Sequence, residues 1–420
     1  MWYVIMIGLL LNLSRSCKLN FKKNLGLRSL SLGIPNRIDD LSLHATTEDT
    51  STTEGNDESK LPEFHFRELP GETLYILDGT SMIYNAYYSR ESSNDFYDVR
   101  TRKVEESGEE TEIHCGALAA MSMHFARFIR DIKPRYICAA LDASSKTFRN
   151  DLYPQYKEQR EAAPEDLIPQ FQMVQPTLHA LGCPTYIKQG YEADDVMAAL
   201  TVWGRERGLN VCIVSGDKDM LQLVDVGVHV MNPRNRKMMG ISEVTAKYGV
   251  PPQGLVDMMA LVGDSADNIP GVRGIGPKTA ATLLEKFNNV EALYNCLIEH
   301  DAPHPSIEDF SLRRVADGTI KKLPPPLEEA FSLGKGSRAI TLIKKLAACT
   351  YEDVQLYKEL VTLKSDIPGL TEVLEDLSSS GLRYVGESAA AEKYFSSLHK
   401  SFNKPLMLLR RQYHHLDRIV

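Results

Sequence analysis

The 420-residue chain has no C-x-x-C pair; its seven cysteines, at positions 17, 115, 138, 183, 212, 296 and 349, are scattered, several inside apolar runs such as "VCIVS". This is the pattern of buried thiols in a reducing compartment. No internal apolar run reaches the length of a membrane helix. An excess of positive charge is missing too. The net charge of −8 at pH 7 argues against non-specific nucleic-acid binding, unless the acids are gathered at a metal site and the bases lie elsewhere. "GVRGIG" (271–276) does not fit G-x-G-x-x-G and follows no strand, which argues against a dinucleotide-binding turn. "LDGTS" (77–81) has Thr80 where an aspartate-nucleophile phosphatase needs a second acid.

What is present is ordinary for a folded chain: 43% apolar and 25% charged residues exclude a wholly disordered or coiled-coil protein. At this length one large domain and a smaller one are expected. The first sixty residues read differently. Met1 to Leu13 is a short apolar stretch, and Arg15, Lys18, Lys22, Lys23, Arg28 and Arg37 follow with no acid before Asp39. An acid-poor, Ser-containing basic leader predicts organelle targeting, to plastid or mitochondrion; its apolar start also suits a secretory route into a complex plastid. "ATTEDTSTTEGNDESK" (45–60) reads as a disordered polar linker.

From Thr73 short apolar runs alternate with helical stretches. Strands are expected at 73–77, 135–141, 185–187, 210–214 and 228–231, with helices near 116–132, 167–181 and 193–207. Such alternation implies a mainly parallel sheet with helices on both faces. Acids follow the strands: Asp78 after the first, Asp142 after the second, Asp217 and Asp219 beyond the fourth. In open α/β sheets the ligand site lies at the carboxyl ends of the strands, so these acids converge on one edge. Glu192, Asp194 and Asp195 in "GYEADDVMAAL" head the helix after the third strand, Glu192 and Asp195 sharing a face and Asp194 pointing elsewhere.

A helix N-terminus favours one or two acids. It does not explain four more arriving from other strands, because like charges brought that close force proton uptake. Divalent cations resolve the conflict, and an all-oxygen set without clustered His or Cys suits Mg²⁺, with Mn²⁺ as a substitute, rather than zinc. Further along, Asp264 and Asp267 lie one helical turn apart and can serve a second metal. Directly after them Gly271, Gly274 and Gly276 form a loop opening a helix that carries Lys278. Bare backbone N–H groups, a helix dipole and a lysine make a phosphate cradle.

Six stretches, "LYILDGTSMIYNAYY", "ALDASSKTFRNDLYPQYKEQR", "GYEADDVMAAL", "SGDKDMLQLV", "KYGVPPQGLVDMMALVGDSADNIPGV" and "GIGPKTAATLLEKF", stand in this order between Leu74 and Asn295. Together they resemble the 5′ nucleases: the 5′→3′ exonuclease domain of bacterial DNA polymerase I, free-standing bacteriophage exonucleases and, more distantly, flap endonucleases. The resemblance implies a PIN-like α/β core and a smaller helical domain built on a helix–three-turn–helix element that grips duplex DNA, often with K⁺. It implies that Asp78, Asp142, Glu192, Asp194 and Asp195 surround one metal, and that Asp217, Asp219, Asp264 and Asp267 complete a second. Lys157 and Arg160 match basic residues at the base of an arch that threads a 5′ single strand. In this setting Lys157 and Arg149 would neutralise the scissile phosphate, and Tyr156 would stack on an unpaired base. Two ions roughly 4 Å apart activate water and stabilise the leaving oxygen, so no Ser or Cys nucleophile is needed.

The expected product is a Mg²⁺-dependent 5′→3′ exonuclease and flap endonuclease acting on DNA flaps or ends, and on primer RNA, in organelle replication and repair. It is expected to be monomeric and free of membranes. A catalytically weak, structure-specific DNA-binding relative is the alternative. The expected layout is a leader and linker at 1–60, a nuclease core at 72–245, a helical domain at 246–375 and a tail at 376–420, too short for a polymerase domain. Within it, 90–112 is expected to be a solvated charged insertion and 300–326 a second insertion. Asn85 stands where close relatives carry arginine, which leaves one phosphate contact without its donor.

Overall fold

The computed structural model describes residues 72–89, 100–104, 110–143, 146–332, 339–384, 386, 391–398 and 402–413. The leader and linker expected at 1–60 lie outside the described residues. Six strands form the main sheet: β1 (Thr73–Asp78), β4 (Tyr136–Leu141), β5 (Thr185–Ile187), β6 (Asn210–Val214), β7 (Val228–Met231) and β8 (Met238–Met239). Their order is β5-β4-β1-β6-β7-β8, parallel throughout except for the edge strand β8.

A central parallel strand is covered on both faces, which is why "TLYIL" is a continuous apolar run. Leu74 and Ile76 enter one core with Val196, Leu200 and Trp203 of α5 (Ala193–Glu206). Tyr75 and Leu77 enter the opposite core with Leu118 and Phe125 of α2 (Gly116–Ile132) and Leu178 of α4 (Ile168–Ala180). Helix α1 (Gly79–Tyr88) follows β1 directly, with Asp78 as its N-cap, and α3 (Phe148–Leu152) follows β4 after a short loop. Within the stretch expected to be a solvated loop, β2 (Arg100–Val104) and β3 (Glu110–His114) pair as an antiparallel hairpin. Their residues lack an apolar alternation, so a periodicity argument had no signal for them.

After α6 (Ile241–Tyr248) come the helices α7 (Leu255–Val262), α8 (Pro277–Phe287), α9 (Val290–Glu299), α10 (Leu312–Ala316), α11 (Pro325–Ala330), α12 (Ala339–Ala347), α13 (Tyr351–Val361) and α14 (Thr371–Asp376). The 300–326 insertion is not all surface, since Phe310, Val315 and Leu323 are buried. The tail also packs. Helices α15 (Ala391–Ser396) and α16 (Asn403–Tyr413), with Phe402 just ahead of the second, bury Phe395, Phe402, Leu406 and Leu409 in the core that contains Leu118 and Phe125. Tyr384 ties the approach to them, its N–H donating to the Arg135 carbonyl at 2.8 Å and its hydroxyl to the Leu181 carbonyl at 3.1 Å.

Candidate metal centre

Asp78 ends β1 and is buried; its Oδ1 accepts from the Ser81 N–H and its Oδ2 from the Ser215 hydroxyl, both at 2.8 Å. Burial pushes its pKa up to about 6, the two hydrogen bonds pull against that, and Asp142 and Asp217 add to the rise. Asp142 leaves the end of β4 and is held across the edge: its N–H donates to Thr80 Oγ1 at 2.9 Å, and its Oδ1 accepts from the Ala193 N–H at 2.7 Å. Asp194, expected to point elsewhere, faces this group. Burial and then Asp78, Asp217 and Glu192 hold its carboxyl well above the usual carboxylate range. These shifts come first from burial and then from several carboxylates crowded together, which the nearby Lys157 offsets only in part.

Asp217 joins this group to a second one. The Asp219 N–H donates to Asp217 Oδ1 at 2.9 Å. Burial, then Asp217 and Asp264, push Asp219 up to about 7. Oxygens of Asp219, Asp264 and Asp267 lie within 4.8 Å of one another. Asp264 and Asp267 do not sit on a helix as their spacing suggested. They lie on a turn after α7, closed by reciprocal backbone hydrogen bonds of 2.8 Å between Asp264 and Ile269. The buried Asp219 Oδ1 has no hydrogen-bond partner among the described residues. An orphaned carboxylate oxygen beside two further carboxylates is costly unless a cation completes it, and three hard oxygen donors suit a divalent ion.

Cationic side chains approach these acids from the segment after α3. Lys157 Nζ lies 2.8 Å from Glu192 Oε1 and 3.7 Å from Asp267 Oδ2, and Arg160 Nη2 lies 2.5 Å from Asp267 Oδ1. Lys218, which the sequence reading passed over, reaches Asp264 Oδ2 at 2.9 Å. Its position between Asp217 and Asp219 was the available signal. Ser215 was also missed, although it begins the "SGDKD" motif.

Three expected roles need correction. Asp195 is fully buried, and its oxygens take Arg149 Nη1 at 2.7 Å, Arg149 Nη2 at 2.8 Å, the Lys364 N–H at 2.9 Å and the Glu192 N–H at 3.2 Å. It is therefore an internal counter-ion, turned away from the metal-facing carboxylates. Arg149, expected to meet phosphate, is only 1% exposed and cannot reach DNA from there. Tyr156, expected to stack on a base, is 3% exposed, and its hydroxyl hydrogen bonds to Asp267 at 2.9 Å and Glu192 at 3.2 Å. Its part is to hold two acids in place.

The glycine-rich loop also divides. Gly274, Gly276 and Lys278 are exposed at the start of α8, with Pro277 at its first position, so the helix N-terminus is open to an anion. Gly271 is buried where the chain passes Gly263 and does not contribute to the cradle. Lys345 of α12 lies along Gly274 and donates to its carbonyl at 2.8 Å.

The same two-part architecture recurs in known proteins. Residues 73–249 match the family model for the 5′-3′ exonuclease N-terminal resolvase-like domain, and residues 250–384 match its C-terminal SAM fold. A 5′-3′ exonuclease of Aquifex aeolicus is 38% identical over 57% of this chain and 79% of its own length. DNA polymerase I of Rhizobium leguminosarum is 37% identical over 54% of this chain, but the match spans only 22% of that polymerase. A solved structure of T5 5′-exonuclease with divalent zinc ions bound has a TM-score of 0.48 at 19% identity, covering 81% of this chain and 99% of that one. The two consecutive domain matches, covering the sheet, the acids at its edge and the glycine-rich loop alike, place this chain in the 5′-3′ exonuclease family.

Proposed function

We propose that the chain is a Mg²⁺-dependent 5′→3′ exonuclease and 5′-flap endonuclease that hydrolyses phosphodiester bonds in DNA and in primer RNA during organelle replication and repair. The observation that carries this reading is the Asp219, Asp264 and Asp267 set with its orphaned oxygen, joined through Asp217 to Asp78 and Asp194. Asp219, Asp264 and Asp267 would hold one ion, and Asp78, Asp142, Glu192 and Asp194 another, with Asp217 between the two sets. When bound, such a pair activates water and stabilises charge on the phosphate and the leaving oxygen. In the reaction a water oxygen bonds to phosphorus, the bond from phosphorus to the sugar oxygen breaks, and that oxygen leaves protonated.

The protein's own groups do the rest. Lys157 and Arg160, freed from Glu192 and Asp267 when the acids are otherwise neutralised, neutralise the phosphate. Tyr156 holds Glu192 and Asp267 at a fixed separation. The open N-terminus of α8, with Lys278, receives a backbone phosphate of the duplex. A K⁺ ion at this loop would compete with the Lys345 ammonium for the Gly274 carbonyl. The enzyme acts as a monomer without a membrane surface.

The test is cleavage of a 5′-labelled flap duplex by the full chain with Mg²⁺, with EDTA and as Asp217→Ala. Metal-dependent cutting near the flap junction that disappears in the variant supports the reading. Tight binding without cutting in Mg²⁺ or Mn²⁺ would make the chain a structure-specific DNA-binding protein instead. Delivery to an organelle is tested by fusing residues 1–60 to a fluorescent reporter, where a diffuse cytosolic signal rejects it.

A further inference from the structure

The ends of β1, β4 and β6 open onto acids, whereas the end of β7 opens onto "NPRNRK" (232–237), which holds three basic residues and no acid. β7 lies beside β6 in the sheet, so this basic turn stands on the same edge as Asp217. Its shape is set by its own hydrogen bonds. Asn232 Oδ1 accepts the N–H groups of Arg234 at 2.9 Å and Asn235 at 3.3 Å, and the Asn232 carbonyl accepts that of Arg236 at 2.9 Å. Arg236 is occupied, its guanidinium lying 2.6 Å from Asp131 Oδ2 on α2.

Arg234 is exposed and differently placed. Its Nη2 donates to Asn85 Oδ1 at 2.6 Å, Asn85 Nδ2 donates to Ser81 Oγ at 3.0 Å, and the Ser81 N–H donates to Asp78 Oδ1. The contact fixes the guanidinium without cancelling its charge, because an amide oxygen is neutral. Among the described residues no carboxylate pairs with it. Asn85 lies seven residues beyond Asp78 on α1, about 10 Å along the axis at a rise of about 1.5 Å per residue. That is about three nucleotides at about 3.4 Å per step.

We propose that Arg234, clamped by Asn85, binds a backbone phosphate of the substrate strand about three nucleotides from the one being cut, thereby supplying from the β7–β8 turn the positive charge that α1 lacks at Asn85. The inference rests on the nuclease reading above. It is tested on the full chain with a flap duplex, measuring Kd in Ca²⁺ and kcat in Mg²⁺. Arg234→Gln should raise Kd about tenfold, the loss of one charge-assisted hydrogen bond. It should also reduce the salt slope of binding by about one and leave kcat within about twofold, because no reacting atom is touched. Exchanging the pair, Asn85→Arg with Arg234→Asn, should restore most of the affinity. An unchanged Kd and salt slope in Arg234→Gln, with a wild-type chain that binds and cuts, overturns this proposal alone. A wild-type chain that binds no DNA overturns it together with the nuclease reading.

Discussion

Arg149 and Asp195 form a two-pronged ion pair, at 2.7 and 2.8 Å, in which neither residue is more than 1% exposed. Two further donors of Arg149 go to the carbonyls of Leu360 at 2.8 Å and Thr362 at 3.2 Å, so one guanidinium joins α3, the start of α5 and the end of α13. Removing one partner leaves the other charge buried and unpaired, which costs about 3–5 kcal/mol. Arg149→Met should lower the urea midpoint accordingly, and Arg149→Lys should not rescue it, because an ammonium cannot reproduce the planar fork. A stability unchanged within about 0.5 kcal/mol, the range of ordinary surface substitutions, would return Arg149 to the surface role expected from sequence.

The metal-facing acids should behave in the opposite way. Asp217 and Asp219 repel their neighbours when no cation is present, so neutralising either relieves strain rather than creating it. Asp217→Asn and Asp219→Asn should abolish cleavage in Mg²⁺ while the melting temperature in EDTA holds or rises. Thermal melts alongside the flap assay check both halves. A marked fall in the EDTA melting temperature would show that these acids support the fold instead.

Metal affinity should depend on pH near neutrality. Burial first, and neighbouring carboxylates after it, raise Asp78 to about 6 and Asp219 to about 7. Binding an ion must therefore release protons below those values, and Mn²⁺ affinity should strengthen as pH rises from 5.5 to 7.5 and then level off, with proton release detectable by calorimetry in buffers of different ionisation enthalpy. Without metal the sign reverses for stability. Both folded pKa values lie above the unfolded value of about 4, so the folded state holds the extra protons, and stability falls as pH rises from about 4 through 7. A flat Mn²⁺ affinity across this window would contradict the electrostatic account of the site.

Gly263 ends α7 with φ of 80°, and a Cβ there would sit 2.5 Å from the Ile269 carbonyl oxygen, which closes the Asp264–Asp267 turn. Gly263→Ala should destabilise by about 1–3 kcal/mol and weaken Mn²⁺ binding by shifting two carboxylates. Gly276→Ala is the contrasting case, since φ is −101° and nothing lies within 4 Å of its Cβ. It should keep its stability and lose DNA affinity as the methyl group intrudes on the approach to α8. Denaturation and binding measured on both variants separate the two roles.

The legible part of this protein is local. Each of the main-sheet strands expected from Thr73 to Met231 is present; the central ones were legible because a strand buried on both faces must be a continuous apolar run, and the half-exposed edge strand β5 through its short β-rich run. The acids after β1, β4 and β6 could be placed on one edge because a parallel sheet sends every carboxyl end the same way. Hairpin β2–β3 was not legible, since backbone pairing on its own leaves no apolar period. The packed tail was missed for a different reason: "LMLL" (406–409) is a short apolar run between Lys404 and Arg410, and its burial depends on a surface that α2 and α4 present.

Within the acidic motif the sequence determined that carboxylates would gather at the head of α5, and the helix N-terminus and the strand ends oblige them to meet. It did not determine which of them faces the ions. Asp194 and Asp195 are adjacent and chemically identical, and only the tertiary structure separates them, because Arg149 arrives from 46 residues away to pair directly with Asp195, whereas Lys157 acts on Asp194 only from a distance while pairing with Glu192. Charge at a site is written in the chain, but its compensation depends on what folding brings alongside it.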